Sequence, residues 1–339
     1  MSVAFVSEPA HRLLNRAMGR TAVGAAVLAG ALMAATLDTV AEPIRWQSRD
    51  ELLAWMTGYR DDPQPRAVPA AVQEMARLGV FRDADRAGVY LGFYAGVLGA
   101  NQLKAAELIA RTFPLDPEDQ VVIVTGIADS GLPEWRTLLG QFSERMPARA
   151  PLIRAYEEGR RVPLPAIPLD ASPSILDRWW GQYFATGRYE AILPIISALA
   201  WAQEPSDLER LTIGGMAKWT LASNATRDKS LLDFLRSEGA RRPKRIAQEL
   251  AEVVAAAELF EVDPIRKSVV ERLETLRAKG PPRSRGWAWW SEIGGTALAV
   301  GCVVAGASGA GAIIGIPCLV GGALSNATTR FLTLEERRQ

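Results

Sequence analysis

Histidine and cysteine are nearly absent from this chain. His11 is the only histidine, and it lies in a stretch with the pattern of a targeting segment. A mature chain would therefore have no imidazole for a Ser-His-Asp or Cys-His mechanism, and none for the common histidine-ligated zinc sites. The G-x-x-x-x-G-K-S/T pattern of a P-loop does not occur either. These absences exclude several large enzyme classes, and we expect neither a cofactor nor a bound metal.

The chain also lacks an excess of charge of either sign. Lysine and arginine number 39 and the acidic residues 38, so there is no electrostatic footprint for nucleic acid. Residues 241–245 form the only dense basic cluster outside the two ends. Cations are favourable near helix C-termini, so we expect this run to cap or link helices. The sequence predicts no nucleic-acid partner.

Charge is missing altogether from residues 293–329, where nine glycines fall between Gly294 and Gly322. A bilayer core needs about 20 helical residues, and the apolar centre at residues 298–320 is long enough for one pass. Trp287, Trp289 and Trp290 precede it, where an interfacial aromatic belt would lie. We therefore predict a glycine-rich transmembrane segment over 293–329. The alternative is a buried glycine-rich hairpin in a soluble protein.

The glycines of this tract predict a helix-packing face. Small residues let membrane helices approach closely, since packing drives their association in lipid. Membrane lipid is thus an expected partner, together with a protein partner or self-association through the span. The candidate packing residues are Gly301, Gly306, Gly309, Gly311 and Gly315.

The amino terminus has the order of a signal sequence. Arg12, Arg16 and Arg20 precede an uncharged run at residues 21–37, and residues 39–41 form a small-x-small site. Residues 1–41 are predicted to be a signal peptide or signal anchor, with an amphipathic helix as the alternative. The soluble domain would then lie in the periplasm, although the basic residues of 277–285 favour the opposite orientation.

The middle of the chain predicts helix after helix, separated by proline and glycine clusters. Residues 121–124 have the composition of a strand, but their helical neighbours favour a buried helix. The proline-rich residues 163–168 form the clearest linker, between helical subdomains at 42–162 and 169–285. Consecutive helix pairs with short turns predict an all-α fold, an irregular α-solenoid or helical-repeat array.

Two segments resemble tetratricopeptide repeats. Residues 183–192 are similar to the turn and second-helix start of such a repeat, and residues 105–109 with 114–117 to its second helix and exit. The likeness covers about 40 residues. It implies stacked helix pairs and, by analogy, a protein-binding surface.

The aromatic residues of 179–183 have two interpretations. Trp179, Trp180 and Tyr183 are candidates for an exposed interaction surface. Core packing is the alternative, and it is the more common role for such residues.

Carboxylate chemistry is the remaining catalytic possibility. The available clusters are Asp83 with Asp85, Asp116 with Glu118 and Asp119, and Glu157 with Glu158. Paired acids serve glycoside hydrolases, but acids are also favoured at helix starts without any catalytic role. No particular pair stands out, and we expect the protein not to be an enzyme.

These observations favour a helical scaffold or protein-interaction module that is anchored in a bacterial membrane. One alternative is a membrane-active protein whose glycine-rich tract oligomerises or perturbs the bilayer. The other is a carboxylate-dependent hydrolase of the envelope.

Overall fold

The computed structural model describes residues 46–82 and 87–278. Helices make up 73% of these residues and no strand occurs among them, which confirms the all-α prediction. The thirteen α-helices of the described part are α1 (Arg49–Gly58), α2 (Val68–Arg77), α3 (Gly88–Ala100), α4 (Ala105–Thr112), α5 (Val121–Asp129), α6 (Trp135–Ser143), α7 (Ala150–Glu157), α8 (Ser174–Thr186), α9 (Ile192–Ala198), α10 (Leu208–Ala225), α11 (Lys229–Gly239), α12 (Lys244–Glu258) and α13 (Asp263–Ala278).

The strand-like run of valine and isoleucine is helical, as predicted. It forms the start of α5, where Val122, Ile123 and Val124 are completely buried. A helix that is buried on several sides needs apolar residues at consecutive positions. β-Branched side chains are tolerated there because tertiary packing contributes more than their intrinsic strand propensity. Tertiary contacts therefore outweigh the strand propensity of these residues.

Prolines lie in the first turn of helices α7 and α9. In the structure, Pro147 begins a 3-10 turn and Pro151 lies in the first turn of α7. Pro194 likewise lies in the first turn of α9. Both places suit proline, since the first helical N–H groups have no partner in the helix.

Helices α3 and α8 pack so closely that there is no space for a Cβ at the glycines of their contact. A Cβ on Gly88 would lie 2.7 Å from the carbonyl oxygen of Ser174, and one on Gly96 would lie 2.8 Å from the Cβ of Ala185. Gly92 and Gly181 lie even closer to the opposite backbone. The glycines therefore make this contact possible.

The proline-rich residues 163–168 lie between these two helices in the chain. The segment and its continuation form two 3-10 turns, Leu164–Ala166 and Leu169–Ala171. Leu164 is buried, and its N–H donates to the carboxylate of Asp129 at 2.9 Å. The division of the chain into two helical subdomains stays a prediction.

Helix α10 is the centre of the last part of the described chain. It packs against α9, α12 and α13, and nearly all of its residues are buried. Two consecutive glycines permit this packing: a Cβ on Gly214 would collide with the backbone of Trp201 and Ala202, and one on Gly215 with the side chain of Val269. The central helix can therefore contact neighbours on several sides.

Both predicted membrane-associated segments, 1–41 and 293–329, lie outside the described residues. Among the residues that are described, no helix combines the length and apolar character needed to cross a bilayer. The solenoid architecture and the tetratricopeptide resemblance stay predictions.

Candidate functional site

A cleft opens between α12 and α13, over the middle of α10. Both helices pack against α10, and they are joined only by the short turn at residues 259–262. The cleft encloses a cavity of about 310 Å³. Its lining residues come from all three helices and the adjoining segments: Ala202, Lys218, Glu252, Ala255, Ala256, Leu259, Glu261, Pro264, Ile265, Ser268, Val269 and Arg272.

Helix α12 supplies one wall of the cleft because only part of its surface packs on α10. Leu250, Val253 and Ala257 recur at three- and four-residue spacing and are buried. Ala255 and Ala256 lie on other sides of the helix and line the cleft. Small side chains at these two positions leave space between the helices, and this space is the cavity.

The turn between α12 and α13 is a Schellman motif with an unusual residue at its key position. Phe260 N–H donates to Ala257 O at 3.3 Å, and Glu261 N–H donates to Ala256 O at 3.0 Å. The φ angle of Phe260 is 57°, a left-handed conformation for which glycine is the usual residue. A bulky residue here stores about 1 kcal/mol or more of backbone strain. Backbone strain of this kind is found more often at functional sites than elsewhere in proteins.

Two large hydrophobic side chains are exposed at this turn. Leu259 is 67% exposed and Phe260 is 74% exposed, and Leu259 also lines the cavity. Single exposed apolar residues are normal on protein surfaces. Here the two are adjacent in the chain, and one of them, Leu259, is part of the lining of the cleft.

The floor of the cleft is a buried ionic network. The Lys218 ammonium lies 2.6 Å from Glu249 Oε2 and 2.5 Å from Glu252 Oε2. Glu249 also accepts a hydrogen bond from Gln203 Nε2 through its other carboxylate oxygen. The side chains of Lys218 and Glu249 are 9% and 2% exposed, whereas that of Glu252 is 60% exposed. A buried charge needs such pairing, because an isolated ion costs several kcal/mol when it is removed from water.

Lys218 is not among the residues that the sequence predicted for a site. Its signal in the sequence is a single lysine in the otherwise uncharged run at residues 211–226. Lysine is almost never fully buried unless it is paired. A lone lysine in a helix that is apolar on all sides therefore predicts acidic partners, but their identity depends on the tertiary structure.

The predicted aromatic interaction residues separate into two groups. Trp180 and Tyr183 are 1% and 2% exposed, and each donates a hydrogen bond inside the protein: Trp180 Nε1 to Thr220 Oγ1 at 3.1 Å and the Tyr183 hydroxyl to Asp228 at 2.5 Å. Asp228 also caps α11 by accepting a hydrogen bond from Leu231 N–H. Trp179 is only partly buried. Trp180 and Tyr183 thus occupy the positions of core residues.

None of the described carboxylate clusters lines the cleft. Asp116 and Glu118 are exposed, and so are Glu157 and Glu158. Asp119 is buried, and this burial raises the pKa of its carboxyl group, while the Arg82 guanidinium opposes the shift. Asp83 and Asp85 lie outside the described residues, as do the five candidate glycines of the predicted membrane segment. Among the described residues, no three metal-ligating side chains are placed to hold a metal ion.

Comparison with known proteins gives no relative on which to build. No protein-family model matches the chain. No curated protein and no solved structure is significantly similar to it. A functional interpretation must therefore rest on the geometry of the cleft and on the sequence.

Proposed function

We propose that this chain is a helical protein-interaction module, held at a bacterial membrane, that binds a segment of a protein partner in the cleft between α12 and α13. The observation that carries the proposal is the exposed pair Leu259 and Phe260 beside a cleft that Leu259 itself lines. Interfaces are anchored by apolar and aromatic side chains that enter pockets of this kind.

The strained conformation of Phe260 supports this choice of site. Glycine at this position would form the same turn without strain, and a polar residue would be better hydrated. A phenylalanine that is 74% exposed contributes little to the core, so its benefit must come from another contact. A partner that covers its ring provides such a contact.

The membrane location rests on the sequence. The uncharged tract at residues 293–329 follows α13, the helix that forms one wall of the cleft. Anchorage there would hold the module close to the bilayer and favour partners that lie in or near the same membrane.

Site-specific photo-crosslinking in living cells tests the proposal. The full-length chain would carry p-benzoylphenylalanine in place of Phe260, and adducts would be resolved by mass. We expect a discrete protein adduct that Ala255→Trp reduces at least about tenfold, because the indole fills the cleft; a tenfold change corresponds to about 1.4 kcal/mol of binding free energy.

Helix α12 provides a matched control for this experiment. Ala251 is exposed on the same helix, like Ala255, but does not line the cavity. Ala251→Trp should leave the adduct unchanged. An adduct that survives Ala255→Trp, or adducts to lipid alone, would contradict the proposal, and the second outcome would favour the membrane-active alternative.

A further inference from the structure

The geometry points to a cationic ligand group for the cleft, an amine or a guanidinium, carried next to a branched apolar side chain. This inference rests on the proposed function and specifies the chemistry of the partner segment. The apolar walls would hold the side chain, and the carboxylate of Glu252 would accept hydrogen bonds from the cation.

The charges on the floor of the cleft are unequal. One ammonium, that of Lys218, faces two carboxylates, those of Glu249 and Glu252. The three groups together carry one net negative charge when all are ionised. At the mouth, Arg272 and Glu261 add one charge of each sign and leave this imbalance unchanged.

Glu249 has little capacity for a further partner. Its side chain is almost completely buried, and its two oxygens already accept from Lys218 and Gln203. Lys218 is similarly enclosed, since its ammonium donates to both glutamates. Neither group is therefore well placed to receive a ligand.

The Glu252 carboxylate can accept a further hydrogen bond. Its side chain is 60% exposed and lines the cavity, and only its Oε2 accepts a hydrogen bond from a described residue. An ionised carboxylate has about four lone-pair positions, so the other oxygen can accept from a ligand N–H. A cation there would complete an alternating set of two positive and two negative groups.

The remaining walls specify the apolar part of the ligand. Ile265 and Val269 of α13 face Ala255 and Ala256 of α12 across the cavity. Ligand pockets span about 300–1,000 Å³, and this one lies at the lower end of that range. It therefore suits one aliphatic side chain with its adjoining polar group better than a larger molecule.

Three derivatives of leucine that differ in charge test this inference. Leucinamide is a cation, N-acetylleucinamide is neutral and N-acetylleucine is an anion, and all three keep the same side chain. Their affinities for the full-length chain would be measured by ligand-observed NMR titration. We expect leucinamide to bind about tenfold more tightly than the other two, the gain typical of a charge-assisted hydrogen bond.

Two glutamate variants assign the preference to the site. Glu252→Gln should remove the preference for leucinamide. Glu258→Gln is the matched control, because Glu258 lies on the same helix, pairs with Arg236 and does not line the cavity. The control should retain the preference.

The outcomes separate this inference from the proposed function. Tighter binding of N-acetylleucine, a preference that survives Glu252→Gln, or no binding of any probe would overturn the inference. If N-acetylleucine binds more tightly than leucinamide and Ala255→Trp abolishes its binding, the charge assignment is wrong although the cleft is a ligand site. The crosslinking result at Phe260 is independent of the charge of these probes.

Discussion

Two helix pairs in this chain show opposite solutions to packing. Helices α3 and α8 are in backbone contact at their glycines. Helices α12 and α13 share a turn but diverge from it, and a cavity of about 310 Å³ lies between them. Each pair lies beside a buried ion pair. The comparison teaches that small residues close a helix pair where the two helices pack on each other, and leave room where both helices pack instead on a third, as α12 and α13 do on α10.

In the closed contact, the ion pair has a structural role. Asp129 has a completely buried side chain that lies 3.2 Å from Arg178 Nη1 and accepts from Leu164 N–H. Gln182 donates to the backbone oxygen of Asp129 at 2.9 Å. These bonds connect α5, α8 and the proline-rich segment.

In the open contact, the ion pair faces the cavity. Lys218 and Glu249 are buried like Asp129, but the third member, Glu252, is exposed on the wall of the cleft. The same type of buried pairing thus fixes helices in one region and presents charge to a ligand in the other.

The largest expected effect comes from breaking the closed contact. In Gly92→Ala, the new methyl group would collide with the carbonyl oxygen of Arg178, and the collision is relieved only if α8 moves. We expect a loss of more than about 4 kcal/mol in the free energy of unfolding, at the upper end for a single substitution. Denaturant titration would measure it.

Gly140 provides the control for this substitution. It lies inside α6, and a Cβ there would meet nothing within 4 Å. Gly140→Ala should be neutral or stabilising by up to about 1 kcal/mol, because alanine has the higher helix propensity. Similar losses for the two variants would show that the close approach of α3 and α8 is not a source of stability.

The second effect concerns the ion pair at the closed contact. Burial raises the pKa of Asp129 above its usual range, and the Arg178 guanidinium opposes this shift. Arg178→Met would leave the carboxylate buried and unpaired, at a cost of about 3 kcal/mol at pH 8.

This cost should depend on pH with a defined sign. Without Arg178 the folded-state pKa of Asp129 rises further, so folding favours the protonated acid and stability falls as the pH rises through the interval between the unfolded and folded pKa values. The deficit of Arg178→Met relative to wild type should therefore be smaller at pH 4 than at pH 8. A deficit that is constant or larger at pH 4 would count against the role assigned to this pair.

The smallest expected effect is at the open contact and has the opposite sign. Phe260→Gly relieves the left-handed backbone strain and should stabilise the protein by about 1 kcal/mol. The same change should weaken partner binding, since it removes an exposed aromatic anchor. Thermal unfolding and a binding assay together test this trade-off; a loss of stability would show that Phe260 packs for structural reasons.

Sequence patterns predicted much of the helical fold but little of the site. The buried helix at residues 121–124 follows from the pattern of its neighbours in the chain, and it is found in the structure. The glycines at 88, 92 and 96 recur at four-residue spacing, a pattern that places them on one side of a helix. Sequence alone cannot specify that α8 lies against that side.

The sequence by itself determined the all-helical character of the described residues and the four-residue spacing of the glycines in α3. These features depend on contacts within a few residues, which composition and spacing record. Only the tertiary structure decided that Lys218 lies between Glu249 and Glu252, because these residues are about 30 positions apart in the chain. The cleft also depends on the tertiary structure, since it is the space that remains when α12 and α13 both pack on α10.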